Sequence, residues 1–466
     1  MKNKLFLFIS LFLLLPVILP ADDNSRNEKA MDVSIDKAVS MALSNNLSLM
    51  GEKLNQQGRT WHMIASLNTL FPSLSASGTL SEIIMDTDQK DGINKQLEFS
   101  EDYDGEKISD WAMSANFNLR WNLNAGLGHG IYYKVLEWKK GRITLDQAKK
   151  QIELKIKQAY YQLVLQKEEI TVRESSLQVA KKRFDKANVE FNAGIIPEVQ
   201  LLSIQLGYEN QKPGLLQTRS NYRQNLLLFK QMVGINKDMK LNFVSDIEIA
   251  DLNELNIDKL ESKNIKENLN LKSLKVQLEQ LSSLRTGLII SMIPSFSLGF
   301  TYTREYDSTK NPRTAMSDLN LFADTEEDWK KTNGATSFTI SVPIGEYIPL
   351  SAKQMQIIDS QMALVTTKLK YEDLQQNLEI QLQNSIMQIE TAVETVNALM
   401  LSVKVAKKSL ELAEIAYEAG AKSYQDVEEE EVKYRDAQVK LLNAKYGYIL
   451  SLLNLEFLLN ETINFK

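Results

Sequence analysis

Two stretches decide the fold: SLQVAKKRFDKANVEFNAG, Ser176 to Gly194, and SVKVAKKSLELAEIAYEAG, Ser402 to Gly420. The second repeats the first 226 positions later. Each closes a long helical pattern on a Gly, the residue best suited to the left-handed position that ends a helix. Each is followed within a few residues by a new helical pattern, about 199–232 in the first case and 425–459 in the second. A helix–Gly–helix hairpin written twice is a structural unit. The quick return makes each hairpin antiparallel with a short tip.

The helices that feed these tips are long. Leu145 to Asn192 and Ser351 to Ala419 contain neither Pro nor Gly. In the first, Ile152, Ile156, Ala159, Tyr160, Leu163 and Val164 recur at steps of three and four, which places them on one face. At about 1.5 Å per residue such helices reach roughly 70–100 Å. That length points to long packed helices or coiled coil. Pro213–Gly214 is expected to kink or interrupt the first return helix, because Pro lacks the N–H and clashes with the preceding turn.

Further from the tips the duplication continues at an offset of 222. NNLSLMGEKL (Asn45 to Leu54) answers to ENLNLKSLKV (Glu267 to Val276), and FPSLSASGTL (Phe71 to Leu80) to IPSFSLGFTY (Ile293 to Tyr302). After Pro72 and Pro294 the period changes to two. Leu74, Ala76, Gly78 and Leu80 alternate with Ser73, Ser75, Ser77 and Thr79, and Phe296, Leu298, Phe300 and Tyr302 with Ser295, Ser297, Gly299 and Thr301. Trp111, Met113, Ala115, Phe117, Leu119, Trp121 and Leu123 form one face of a third segment whose other face is largely Asn and Ser. Phe338, Ile340, Val342 and Ile344 do the same in a fourth.

These are four strands with one apolar and one polar face. A soluble sandwich gives the same alternation. Three features favour a membrane instead. Each half holds only two strands among very long helices. The segments approach the ~9–11 residues that cross a bilayer as a tilted strand. Trp111 and Trp121 stand near the ends of one strand, where interfacial aromatics sit. The lipid face would then include Trp111, Phe117, Leu119, Trp121, Phe296, Phe300, Phe338 and Ile340. Four strands cannot close a membrane barrel, since open edges in lipid leave backbone groups unsatisfied. Closure takes about eight or more, so the chain must associate, and arithmetic permits a dimer or a trimer.

The division expected along the 466 residues is a signal peptide over 1–21, a first repeat over 22–234, a linker over 235–262 and a second repeat over 263–466. The signal reading rests on Lys2 and Lys4, the apolar run Leu5 to Leu19, and Ala21 at a cleavage point. Acidic loops, 81–110 and 305–336, join the strands of each pair, and their polarity suits exposure to solvent. The chain has no Cys, which excludes disulfides and thiolate metal sites. A net charge of −6 gives no case for nucleic acid. His62 and His129 are far apart, and no catalytic, phosphate-binding or zinc motif is present. The glycines of Gly126-Leu-Gly-His-Gly130 follow a strand, where a turn accounts for them. No cofactor is expected, and no enzyme.

With those residues in view, the chain resembles the TolC-type outer membrane efflux proteins. The resemblance rests on SIDKAVSMALSNNLSL (Ser34 to Leu49), on the junctions LFPSLSASG and MIPSFSLGF, and on the tips FNAGIIPEVQLL and YEAGAKSYQDV, in duplicated order over nearly the whole chain. It implies a mainly helical fold with membrane strands: a homotrimer whose twelve strands form one shared barrel in the outer membrane. Its twelve long helices would form a tunnel in the periplasm. It implies passive export, driven by an inner-membrane pump of the RND or ABC class through a periplasmic adaptor protein.

The resemblance also assigns residues. The pattern Y-x-x-G-x-(K/R)-x-x-x-D-V-x-(D/E) matches Tyr417, Gly420, Lys422, Asp426, Val427 and Glu429. Asp426 and Glu429 would line a periplasmic gate, which Lys422 and Tyr417 would help hold closed. The tip residues Gly194, Ile195, Glu198, Gly420, Ala421 and Ser423 would meet the adaptor. Asp426 and Glu429 are three apart and share a helix face, and acidic rings favour cations. The simpler account is that Glu428 to Glu431 is a charge run on a solvated helix surface. At the first tip the acidic position is occupied by Gln200, which puts the lock between hairpins in question. A structural spacer or surface adhesin without transport activity is the alternative; it explains the helices but not the alternating strands.

Overall fold

The computed structural model describes residues 31–82, 111–244, 265–308 and 331–461. The signal segment, most of both acidic loops and most of the linker lie outside the described residues. The first half runs β1 (Met31–Val33), α1 (Ile35–Asn45), α2 (Leu47–Ser66), β2 (Ser73–Glu82), β3 (Trp111–Leu123), α3 (Leu127–Asn192) and α4 (Glu198–Val233). A short strand β4 (Leu241–Phe243) follows. The second half runs α5 (Leu269–Ile290), β5 (Ser295–Ser308), β6 (Lys331–Ser341), α6 (Ala352–Glu418) and α7 (Tyr424–Leu459). Helix, strand pair and long hairpin thus occur twice in the same order.

Three expectations need correction. First, the strands are longer than the alternation suggested: β5 continues to Ser308 and β6 begins at Lys331, inside the expected loop 305–336. The reason is β3, whose thirteen residues need backbone partners along their whole length; Trp111 pairs with Ser308. Second, the glycines after β3 serve a turn only in part: Gly126 lies in the turn that the Leu127 N–H closes on the Asn124 carbonyl at 3.2 Å, while Gly128 and Gly130 already lie in α3. Gly126 and Gly287 allow the start of α3 and the end of α5 to meet closely: a Cβ on Gly287 would lie 3.2 Å from the His129 Cβ, and one on Gly126 would lie 3.5 Å from the Gly287 carbonyl oxygen. Third, of the kink or interruption expected at Pro213–Gly214, the interruption does not occur, since α4 runs through Pro213. Pro213 is exposed, so solvent can meet the Glu209 carbonyl that loses its donor.

Both tips close as expected. Gly194 and Gly420 have φ of 74° and 73°. The Ile195 N–H reaches the Glu190 carbonyl and the Gly194 N–H the Phe191 carbonyl, each at 2.9 Å. Ala421 and Gly420 repeat this on Ala416 and Tyr417 at 2.8 and 2.9 Å. This double closure satisfies carbonyls that the last helical turn would otherwise leave open.

The helices form one layer. Below mid-length the neighbours run α4, α3, α7, α6; above it they run α2, α3, α5, α6. Two apolar clusters fix the middle. Tyr160, Ile156 and Phe229 pack under the parallel pair β1–β4, and the Tyr160 hydroxyl donates to the Val33 carbonyl at 2.9 Å. Leu271, Leu382, Tyr448 and Leu459 make the second cluster. The duplication extends to single bonds. The Asn46 side chain donates to the Met232 carbonyl at 3.1 Å, and its counterpart Asn268 donates to the Leu458 carbonyl at 3.0 Å. Each Asn also caps the helix it precedes.

Gly234 ends α4 with φ 74°, and a Cβ there would lie 2.5 Å from the Asn45 Cβ. Gly234→Ala is expected to cost about 1–2 kcal/mol from the left-handed backbone and more from the clash. Chemical denaturation checks this: the midpoint falls, whereas Gly51→Ala, with open space around it, leaves it level or raises it.

Candidate functional site

The four long strands make one antiparallel sheet in the order β2-β3-β5-β6. Residues directly opposite in such a sheet share a face, so the register assigns every side chain. Leu74, Leu119 and Phe300 stand in one row. Trp121, Leu298 and Phe338 make another, and Leu123, Phe296 and Ile340 a third. The opposite face carries rows such as Ser75, Asn118 and Thr301, or Ser77, Asn116 and Thr303. The Thr303 hydroxyl donates to the Asn116 side-chain oxygen at 2.8 Å on that face.

Among the described residues the apolar face is left largely uncovered. Phe338 is 66 % exposed, Ile340 56 %, Phe117 51 %, Phe300 45 % and Phe296 44 %. Leu119 is half-buried between its neighbours. The Trp121 indole N–H donates to the Leu70 carbonyl at 3.0 Å, as a residue at the wet end of an apolar face does. Trp111 opens β3, and its side chain lies outside the described ones. No described helix is long and apolar enough to cross a membrane.

At the other end the two hairpin tips lean together. Tyr424, Ala187 and Ile204 are buried, with Tyr417, Phe184 and Leu201 around them. Tyr417 meets Tyr424 edge to face, with ring centres 6.1 Å apart. The Gln200 side-chain amide donates to the Tyr417 hydroxyl at 3.0 Å. Gln200 therefore links the first tip to the second within one chain, without an acid. An open cleft of about 610 Å³ lies between the tips, lined by Arg183, Lys186, Glu190, Glu414, Tyr417 and Ile195 among others.

Asp426 holds the start of α7. Its carboxylate accepts from the Ser423 N–H at 2.8 Å and the Ser423 hydroxyl at 2.7 Å, while its own N–H donates to Ser423 Oγ at 3.3 Å. This is a capping box, and its signature Ser-x-x-Asp stands open in the sequence. These bonds from Ser423, with the charge of Lys422, hold the Asp426 carboxyl below the usual carboxylate range. Lys422 is exposed and makes no ion pair among the described residues of the single chain. Glu429 is exposed and paired with Lys433 at 2.8 Å. Ile195, Glu198, Ala421 and Ser423 are all exposed around the tips.

The charge run is not uniformly solvated, and this the sequence did not show. Glu431 is only 6 % exposed and is bound by the Arg183 guanidinium, which also holds Glu414. Arg183 thus joins α3 to both arms of the second hairpin. The two carboxylates and the Arg183 hydrogen bonds outweigh burial and raise the guanidinium above its ordinary value. Glu431 Oε1 is buried without a hydrogen-bond partner. Glu428 lies against α4, where a Cβ on Gly207 would come within 2.7 Å of its carboxylate. Burial, then the charge of Glu431, pushes its carboxyl up. Burial pushes the Tyr424 hydroxyl up to about 12, with Arg183 opposing. Among the described residues no cluster of acidic or imidazole side chains is suited to a metal ion.

The chain thus gives one strand pair and one long helical hairpin twice over, and its four long strands share one sheet. Residues 265–461 match the family model described as Outer membrane efflux protein. The solved structure of CusC is similar over 91 % of this chain and 91 % of its own, with a TM-score of 0.71 at 14 % identity. The Campylobacter jejuni outer membrane channel CmeC matches over 91 % of this chain and 85 % of its own, with a TM-score of 0.71 at 16 % identity. The outer membrane protein VceC of Vibrio cholerae matches over 92 % and 97 %, with a TM-score of 0.69 at 14 % identity. A search of curated proteins returned no match. The match to the family model lies in the second half of the chain, and the likeness over nine-tenths of its length is one of fold.

Proposed function

We propose that the chain forms the outer membrane duct of a tripartite export system, as a homotrimer with a twelve-stranded shared barrel and a helical tunnel in the periplasm. The observation that carries this is the sheet. Its one face is apolar and exposed, its other face is polar, and among the described residues its two outer strands, β2 and β6, are unpaired on one side. In lipid such edges must be closed by further copies, and three copies of four strands give a barrel of ordinary membrane size. The polar face then lines a water-filled lumen. A spacer or adhesin gives no reason for the apolar face. Energy would come from an inner-membrane pump of the RND or ABC class, joined through a periplasmic adaptor that meets the tips. Mass measurement in detergent together with planar-bilayer recording tests the reading. A stable monomer without conductance would overturn it.

The gate reading narrows. Asp426 and Glu429 both stand at the mouth of the tunnel, Asp426 as a cap and Glu429 as an exposed carboxylate. In a trimer they give two stacked rings of three charges, and Lys422 is left to pair with a neighbouring copy. Asp426→Asn with Glu429→Gln is expected to lower cation selectivity and weaken block by divalent cations, since acidic rings concentrate cations. Reversal potentials in a salt gradient check this, and unchanged potentials would remove both residues from the gate.

A further inference from the structure

Toward the tips the layer of helices ends in α4 on one side and α6 on the other, and among the described residues the two have no extensive contact within the chain. Both outer edges carry a line of exposed residues at seven-residue spacing, which keeps a line straight along a supercoiled helix. On α4, upward from its tip, the line reads Leu202, Glu209, Leu216, Arg223. On α6, upward from its tip, it reads Ile415, Lys408, Leu401, Glu394. All eight are exposed, and the apolar ones strongly so: Leu202 54 %, Leu216 64 %, Leu401 63 % and Ile415 61 %. Exposed apolar residues in line on a helix mark a face that another helix covers.

We infer that α4 of one copy packs antiparallel on α6 of the next in the register Leu202–Ile415, Glu209–Lys408, Leu216–Leu401 and Arg223–Glu394. Every apolar residue then meets an apolar one, and every charge meets its opposite. A slip of one heptad in either direction sets charges on leucines. In the single chain Glu209 and Lys408 make only local pairs, with Lys212 and Glu411. Among the described residues Arg223 and Glu394 have no ion-pair partner. The register also fits the tips. Leu202 lies eight positions after Gly194 and Ile415 five before Gly420, an offset of about 4.5 Å along the axes. The contact joins different edges of the two copies, so it propagates around a ring and is the helical continuation of β6 meeting a neighbour's β2. Charged residues within an apolar seam fix register and partner choice.

This inference rests on the oligomeric reading above, and a crosslinking experiment separates the two. The chain has no Cys, so introduced pairs report alone. The full-length double variant Leu216→Cys/Leu401→Cys, oxidised in detergent, is expected to give covalent dimers and trimers on a denaturing gel. Leu216→Cys/Glu394→Cys, one heptad away, is expected to give little. Glu209→Lys alone is expected to weaken the oligomer, and Glu209→Lys/Lys408→Glu to restore it. Stronger crosslinking of the shifted pair, or none from either in a preparation whose mass is oligomeric, would overturn the register while leaving the oligomer standing. A monomeric mass for the unmodified protein would overturn both.

Discussion

Arg183→Met is expected to loosen the hold between the hairpin tips. The side chain ties α3 to Glu414 on α6 and to Glu431 on α7. Removing one partner of a buried pair costs roughly 3–5 kcal/mol, because the remaining charge is left without compensation. Glu431 is that charge, already buried with one oxygen unpartnered. The loss falls on the tips rather than on the whole fold, since the main apolar clusters lie near mid-length. Amide exchange should therefore accelerate around the tips by two orders of magnitude or more, at about 1.4 kcal/mol per tenfold, while exchange around Tyr160 and Tyr448 holds. In a bilayer the channel should spend more time conducting. Arg183→Met with Glu431→Leu should recover most of the protection, because an apolar pair replaces an ionic one at little cost. Unchanged tip exchange in the single variant would show that the ion pair holds nothing closed.

That latch marks the limit of what the sequence discloses. The helices, the tips and the strand faces follow from local period, because burial repeats along each element with the geometry of that element. The capping glycines are legible because few residues other than Gly take φ near 74° without strain. The four consecutive glutamates are different. Their residue types are identical, and only the packing of α7 between α3 and α6 decides that Glu431 is buried while Glu429 faces solvent. Sequence gives the angle between them but not the direction of the core. Gln200 shows a related limit: its residue type does not disclose that its amide reaches the Tyr417 hydroxyl. Of the glycines at 126–130 only Gly126 belongs to the turn, and residue type alone does not show that Gly128 and Gly130 already lie in the helix. At Pro213 the helix is not interrupted, because an exposed helix face tolerates a lost backbone bond.

The largest effect on assembly is expected at the sheet. Phe117 lies mid-strand on β3, opposite Ala76 and Tyr302, on the face the register makes apolar. Phe117→Arg puts a charge where lipid tails would be. On the lipid face of an outer membrane barrel that costs about 2–4 kcal/mol near the midplane. In a closed trimer the cost enters once per copy, so its threefold sum rivals the whole stability of an ordinary domain. Asn118→Arg, the next residue on the same strand, points to the polar face between Ser75 and Thr301 and stays in water. The two variants have the same added charge and nearly the same depth, and differ only in face. Phe117→Arg should abolish recovery of folded oligomer from the membrane fraction, while Asn118→Arg should assemble and shift ion selectivity toward anions. Equal recovery of both would mean that this face meets protein or water instead of lipid, and the duct would lose its membrane. The sign of the Asn118→Arg selectivity shift carries the other half of the argument, because only a residue lining the conducting path can move it.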